Sequence, residues 1–95
     1  MEMEIIVNWE EINTEEMFYN KFLPQVNAPE WHGRNLDALA DSVITGDING
    51  IEPPYIIKNI KTDSAPNNIK EFQIKVLTVF VEATIVPRKI KMVIE

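Results

Sequence analysis

Two carboxylates four residues apart, Asp37 and Asp41, are the side chains of this chain most able to do chemistry. The apolar residues around them have the i, i+3, i+4, i+7 spacing of one helix face, at Leu36, Leu39, Ala40 and Val43. Both carboxylates should therefore project together from the flank of that face. Like charges at i and i+4 destabilise an isolated helix by roughly 0.2–0.5 kcal/mol, so helix stability gives little reason to place them together. A cationic partner would explain the pair.

These positions also have an ordinary structural explanation. Asn35 is a good N-cap for a helix that begins at Leu36, and Gly33 lets the backbone turn before it. Asp37 then lies in the first turn, where the helix dipole stabilises a carboxylate by about 0.3–1 kcal/mol. Asp41 lies a turn and a half into the helix and has no such explanation. Taken alone, the residues leave both possibilities open and favour two solvated carboxylates.

Catalysis by these residues is not expected. A carboxylate pair can act as acid and base in glycoside hydrolysis, but Asp37 and Asp41 lie on an exposed flank with no evident cleft to raise a pKa. The chain has one histidine, His32, and no cysteine, which excludes histidine-rich metal sites, disulfides and thiolate chemistry. The three glycines lie too far apart for a phosphate-binding loop. We expect no enzyme activity, no cofactor and no metal.

Two aromatic residues, Trp31 and His32, precede the predicted acidic helix. A tryptophan is a suitable interface anchor because it buries a large area and loses few rotors; the alternative for Trp31 is packing over the connection from the first helix. His32 is more compatible with local capping or stacking in the loop than with a catalytic base. Trp9 is expected to pack in the core or at its edge.

The charge of the chain is distributed unevenly. The formal net charge is −6, but residues 1–52 hold eleven acids against two bases, and residues 53–95 hold four acids against seven bases. The first part is therefore −9 and the second +3, from the same counts. Such a field repels nucleic acid and anionic membrane and attracts a basic protein surface. Acidity that serves solubility alone is the other explanation of the net charge.

Length and composition predict one soluble domain spanning residues 1–95. The chain begins Met1-Glu2-Met3-Glu4, which is acidic where a secretory signal is basic. No apolar run approaches the ~20 residues of a membrane span. We therefore expect a cytoplasmic protein.

The predicted elements follow the order strand, helix, helix, strand, helix, strand. Strands are expected at Met3 to Asn8, Tyr55 to Ile60 and Lys89 to Glu95, and the first should be covered on both faces because three β-branched residues follow one another. Right-handed crossovers then give an α/β fold in which helices pack on a three-stranded parallel sheet.

Each helix has its own start and stop signals. Asn13 should cap the first, with Glu16 completing a capping box, and the helix should stop or kink near Pro24. Gly46 should end the second by the usual C-terminal route. Helical spacing carries the third from Ile69 to about Thr84, before Pro87.

The segment from Pro29 to Asp41 reads Pro-Glu-Trp-His-Gly-Arg-Asn-Leu-Asp-Ala-Leu-Ala-Asp and resembles the signature of the barstar family. Members of that family are small inhibitors that plug the active site of a ribonuclease with an acidic helix and its preceding loop. A weaker match, Val79 to Ala83, lies in the last helix. The resemblance implies the same βα(α)βαβ architecture as the element order does.

The resemblance also implies roles for single residues. Asp41 would enter the nuclease site where a substrate phosphate lies, since a carboxylate can accept bidentate hydrogen bonds from arginine as a phosphate does. The family aspartate at this position is a known example of an interface hot spot. Trp31 would pack against the nuclease, and Glu82 would contact a nuclease arginine. The whole expected partner-binding set is Trp31, His32, Gly33, Arg34, Asn35, Asp37, Ala38, Asp41, Gly46, Asp47 and Glu82.

The chain departs from the family pattern at two places. Arg34 stands where the family usually has an acid, so a positive charge lies beside the anionic face. Asp47 stands about where the family can have a tryptophan, with an alignment uncertain by one residue, whereas Gly46 keeps the family glycine. The cognate nuclease can therefore differ from the best-known one, for example by an acidic group opposite Arg34.

The resemblance predicts an immunity protein that protects its own cell from a basic ribonuclease toxin by binding it 1:1, without nucleic acid, membrane or cofactor. A second hypothesis is a binding module that keeps the fold and regulates another basic protein without inhibiting a nuclease. A third is a carboxylate enzyme that depends on Asp37 and Asp41.

Overall fold

Three parallel strands form the centre of the fold. The computed structural model describes residues 3–45, 54–85 and 90–95. The strands are β1 (Met3–Asn8), β2 (Tyr55–Ile60) and β3 (Ile90–Ile94), with β2 in the middle of the sheet. Both pairings are parallel, as the order of elements predicted.

Three α-helices pack on this sheet: α1 (Glu15–Phe22), α2 (Leu36–Ala40) and α3 (Lys70–Ile85). Short 3-10 turns occur at Trp9–Glu11, Leu23–Val26, Thr62–Ser64 and Asn67–Ile69, and one π-helical turn, Asp41–Thr45, continues α2. The predicted α/β class is confirmed, and α3 begins and ends within one residue of its predicted bounds. Within the described ranges, no helix is long and apolar enough to cross a bilayer.

The cap of α1 differs from the prediction. Thr14, not Asn13, is the N-cap, and its hydroxyl accepts the N–H of Met17 at 3.1 Å. The carbonyl of Asn13 instead accepts the side-chain amide of Asn68 at 2.8 Å, which ties this residue to the start of α3. Glu16 is thereby one position too early to complete a capping box. The predicted stop near Pro24 is confirmed, because α1 ends at Phe22.

The sheet is buried on one face and partly exposed on the other. Ile5 and Val7 of β1 are buried, whereas Ile6 between them is exposed. Successive strand residues point to opposite faces, and Ile6 on the outer face is 44% exposed. The prediction that β1 is covered on both faces is therefore wrong.

Gln25 occupies the outer edge of β1. Its Oε1 accepts the N–H of Ile6 at 2.8 Å, and its Nε2 donates to the carbonyl of Ile6 at 2.7 Å. The same Nε2 also donates to the carbonyl of Lys21 at 3.0 Å. The Gln25 amide thus bonds the two backbone groups that an additional strand would use.

Aromatic rings fill much of the core between the sheet and the helices. Phe18 stacks on Trp9 and Phe22, with centroid distances of 5.7 and 5.4 Å, and meets Phe72 edge-on at 5.6 Å. Trp9 is fully buried, and its Nε1 donates to Oδ1 of Asn59 at 3.0 Å. The prediction of a core position for Trp9 is confirmed.

Tyr19 joins α1 to α3. Its ring is buried and lies 6.0 Å from the ring of Phe72. Its hydroxyl has no hydrogen-bond partner among the residues that the structure describes. Burial, and to a smaller extent the nearby Glu15 carboxylate, raise the pKa of Tyr19 to about 12.

The last strand, β3, is only partly buried. Ile90 is buried and Met92 half-buried, but Ile94 at the end of β3 is exposed. The predicted helix stop at Gly46 and breaker at Pro87 lie outside the described residues, as does Lys89, the predicted first residue of the last strand.

Candidate protein-binding site

The acidic helix α2 is held in place by its cap and by its apolar face. Oδ1 of Asn35 accepts the N–H of Ala38 at 2.8 Å, and the Asn35 backbone is extended, as an N-cap requires. Leu39 is fully buried beneath the helix. Asp37 and Asp41 are both exposed. The predicted cap and the predicted division into a buried and an exposed side are confirmed.

Asp41 stands at the junction between α2 and the π-helical turn. Its N–H bonds back to the carbonyls of Asp37 and Ala38, so helical geometry is kept from one aspartate to the other. The two side chains therefore start from the same flank, one turn apart. The π-turn itself was not predicted, because the apolar spacing up to Val43 is compatible with an uninterrupted helix.

The two aspartates are not used by the ion pairs among the residues that the structure describes. Lysines pair with Glu11, Glu95, Glu10 and Glu71 at 3.7 to 4.0 Å, and all four pairs lie outside α2. Within residues 3–45, 54–85 and 90–95, neither Asp37 nor Asp41 has an ion-pair partner. Their charges are thus available to a second molecule.

The loop before α2 turns one aromatic side chain outward and the next one inward. Trp31 is 72% exposed, so it does not pack over the connection from α1. His32 is buried, its N–H donates to the carbonyl of Pro29 at 2.9 Å, and its Nδ1 lies 2.7 Å from the carbonyl oxygen of Gly33. Its Nε2 bonds the hydroxyl of Ser42. The ring of His32 is consequently part of the support of the loop rather than of its outer surface.

Gly33 allows the loop to lie close to the first turn of α2. A Cβ at this position would lie 3.1 Å from the Cβ of Ala38 and 3.1 Å from Nδ2 of Asn35. Both distances are tighter than ordinary contacts, and Ala38 itself is half-buried. A side chain here would require Ala38 or the Asn35 side chain to shift by a few tenths of an ångström.

Arg34 points toward α1. Its Nη1 donates to Oδ1 of Asn20 at 2.7 Å, and the residue is exposed. In the described part of the chain it forms no ion pair with the acids of α2. The positive charge of Arg34 is therefore directed toward Asn20 of α1 and is not paired with Asp37 or Asp41 in the described ranges.

The remaining expected residues are placed separately. Glu82 is exposed on α3, three residues before the helix ends at Ile85. Gly46 and Asp47 lie outside the described residues. Sequence reasoning missed Ser42 and Asn20, the partners of His32 and Arg34. The available signal for Ser42 was its position three residues after Leu39 and directly before Val43, two residues of the apolar stripe.

Two shallow grooves lie near this surface, and neither is lined by the aspartate pair. One, of about 280 Å³, lies beside the loop between Pro24 and Arg34. The other, of about 290 Å³, lies between Glu15 of α1 and Lys75 of α3. The structure also shows no cluster of three or more metal-ligating residues in the ranges it describes. A pair of solvated carboxylates outside a cleft is suited to binding a partner and poorly suited to acid–base catalysis.

Taken together, fold and site define a small α/β protein with a capped, exposed acidic helix next to an outward tryptophan. The family model described as "Barstar (barnase inhibitor)" matches residues 2–94, and the chain therefore belongs to the barstar family. Membership implies a ribonuclease-inhibitor type of function. No curated protein gives a significant match to the chain.

Proposed function

We propose that this protein is a stoichiometric inhibitor of a basic ribonuclease and serves as an immunity protein against it. The binding surface would run from Trp31 to Asp41. The observation that carries the proposal is the exposed, unneutralised pair Asp37 and Asp41 beside a tryptophan that is 72% exposed. The barstar family match over residues 2–94 supports the class of partner.

The chemistry of the contact follows from the shape of a carboxylate. Asp41 would take the place of a substrate phosphate, because its two oxygens accept paired hydrogen bonds from an arginine in the nuclease site. Asp37 adds a second negative charge one turn away, and Trp31 would close the rim of the interface against water. Glu82 on α3 would bond an arginine at the edge of the contact.

The negative charge of the protein should affect both the association and the dissociation rate of a complex with a nuclease. The charge of the first part of the chain speeds the encounter with a basic surface. Charge pairs that lose water at the centre of the interface slow dissociation, because breaking them leaves buried charges without partners. A complex with one inhibitor per nuclease follows from a single acidic helix.

The proposal is tested by adding the protein in steps to a basic ribonuclease such as barnase and measuring cleavage of an RNA substrate. We expect activity to fall linearly to zero at one equivalent. Asp37→Asn and Asp41→Asn should each weaken inhibition. Glu16→Gln is the matched control, because it removes one exposed acid from α1 and should leave inhibition unchanged.

Other outcomes would identify other functions. Binding to a basic protein without loss of nuclease activity would support the non-inhibitory binding module. Turnover of a substrate that is abolished by Asp37→Asn or Asp41→Asn would support a carboxylate enzyme. Inhibition that is identical for wild type and both aspartate variants would contradict the proposed surface.

A further inference from the structure

His32 is a buried side chain in a segment whose neighbours face water. Trp31 before it and Arg34 after it are exposed, but the histidine itself is only 5% exposed. Its ring makes two polar contacts, one to the carbonyl of Gly33 and one to the hydroxyl of Ser42. Such a buried polar group is informative, because its removal leaves partners unsatisfied.

The positions of the ring protons follow from the two partners. The carbonyl of Gly33 can only accept, so the Nδ1 that lies 2.7 Å from its oxygen carries a proton and donates. In the neutral ring, Nε2 then accepts the proton of the Ser42 hydroxyl. The imidazole thus links the loop before α2 to the π-helical turn after it.

This link joins the two parts of the proposed binding surface. Ser42 is fully buried and directly follows Asp41, while His32 directly follows Trp31. A hydrogen bond between them fixes the loop to the same turn that carries the acidic side chain. Most of the surface of Trp31 is exposed, and its side chain makes no hydrogen bond to any residue that the structure describes.

We propose that the hydrogen bond between His32 and Ser42 is a positioning contact, which holds Trp31 in the orientation that a partner binds. This inference rests on the proposed function and adds a supporting pair beneath its surface. The physical reason is preorganisation: a loop that is already ordered loses less conformational entropy when the complex forms.

A first measurement needs no partner. The N–H of His32 is bonded to the carbonyl of Pro29, so its hydrogen-exchange rate reports on the closed loop. Ser42→Ala should accelerate exchange of this amide about tenfold relative to amides in the middle of α3. Equal acceleration throughout the protein would mean a purely global loss of stability and would overturn the proposal.

Two replacements of His32 separate its two bonds. His32→Gln places an amide near Nε2 and can keep the bond to Ser42, whereas His32→Asn places one near Nδ1 and can keep only the bond to Gly33. We expect His32→Gln to preserve slow exchange and His32→Asn to behave like Ser42→Ala. The reverse order would assign the positioning to the Gly33 carbonyl and contradict the role of Ser42.

A second measurement determines whether the contact acts through Trp31. Ser42→Ala should raise the Kd for the inhibited ribonuclease about tenfold, but less than about twofold in a chain that already carries Trp31→Ala. Gln73→Met is the control, because it removes a different, partly buried hydrogen bond, from Nε2 of Gln73 to the carbonyl of Thr62 at 2.9 Å, and should leave the Kd unchanged. An equal loss in both backgrounds would overturn the proposal.

Failure of the two proposals can be distinguished. If the wild-type protein inhibits no ribonuclease, the proposed function fails, and the exchange rate of the His32 amide alone decides whether the contact orders the loop. If the wild type inhibits but Ser42→Ala changes neither exchange nor Kd, the positioning role fails and the proposed function stands.

Discussion

At the scale of single residues, Asp41 combines an exposed charge with a position that helix stability does not favour. It lies where α2 passes into the π-helical turn, and it follows the like-charged Asp37 by one helical turn. An exposed charge that destabilises its own helix is best explained by a partner that it binds.

Asp41→Ala should therefore weaken binding to the ribonuclease by at least about 2 kcal/mol, mainly through faster dissociation. The free energy of unfolding should be unchanged or slightly higher, since a like-charge neighbour is removed and alanine favours a helix. Binding kinetics and denaturant unfolding of the same variant, with Glu16→Ala as control, measure both. Unchanged affinity with a loss of more than about 1 kcal/mol in unfolding free energy would make Asp41 a structural residue.

Arg34 is the residue at which this chain differs most clearly from the family pattern. Arg34→Glu should weaken binding to the cognate ribonuclease, which we expect to carry an acidic group opposite Arg34. The same change should improve binding to nucleases inhibited by family members with an acid here. Asn20→Ala is the control, because it removes the 2.7 Å hydrogen bond of Arg34 but keeps the charge. Unchanged affinity for both kinds of nuclease would place Arg34 outside the interface.

At the scale of elements, α2 and its cap were predictable because the signals are local. The apolar spacing and Asn35 lie within a few residues of each other, and the structure confirms both. The cap of α1 was misplaced by one residue because Asn13 and Thr14 are adjacent and both are good caps, so the local pattern does not choose between them. The bond from His32 to Ser42 also depends on how the loop folds back, which no local pattern encodes.

The packing of α1 against α3 should be visible in the alkaline stability of the protein. Burial raises the pKa of Tyr19 in the folded state to about 12, above its usual value of 10.0. The neutral hydroxyl is thus favoured by folding, and its contribution to stability is complete below pH 10 and is lost as the pH rises toward 12.

Tyr19→Phe should accordingly be similar to wild type at pH 7, because the hydroxyl has no hydrogen-bond partner among the described residues. Above pH 10 the variant should lose stability less steeply than wild type. The comparison requires unfolding free energies of both proteins at matched pH values, so that the titration of all other groups cancels. Parallel curves would show that the Tyr19 hydroxyl is not desolvated in solution.

At the scale of the whole molecule, charge asymmetry is the property that the sequence predicts best, since it needs only a count. The structure shows which acids keep their charge unpaired. Lys61 from the basic second part pairs with Glu10 at 4.0 Å, whereas Asp37 and Asp41 have no ion-pair partner in the described ranges. The α/β class was also predictable, because strands separated by helices give parallel sheets. Exposure of individual side chains, such as Trp31 and Ile6, required the structure.

Association with the ribonuclease should be steered by this charge. The association rate constant should fall steeply between about 0.01 and 0.15 M salt, as the Debye length shortens from ~30 to ~8 Å. The dissociation rate constant should change much less, because contacts inside the interface are screened less. Stopped-flow mixing at several salt concentrations measures both constants, and an association rate independent of salt would exclude electrostatic steering.

The hydrogen bonds of Gln25 at the edge of β1 have a consequence for the free protein. An open strand edge offers N–H and C=O groups to a second copy of the same chain, and edge-to-edge pairing is a common route to aggregation. The Gln25 amide occupies both groups of Ile6 at the middle of this edge and so blocks pairing there. If the protein inhibits its partner 1:1 as proposed, each copy lost to self-association would leave one ribonuclease molecule active, and a glutamine side chain at one strand edge would help to keep the inhibitor monomeric.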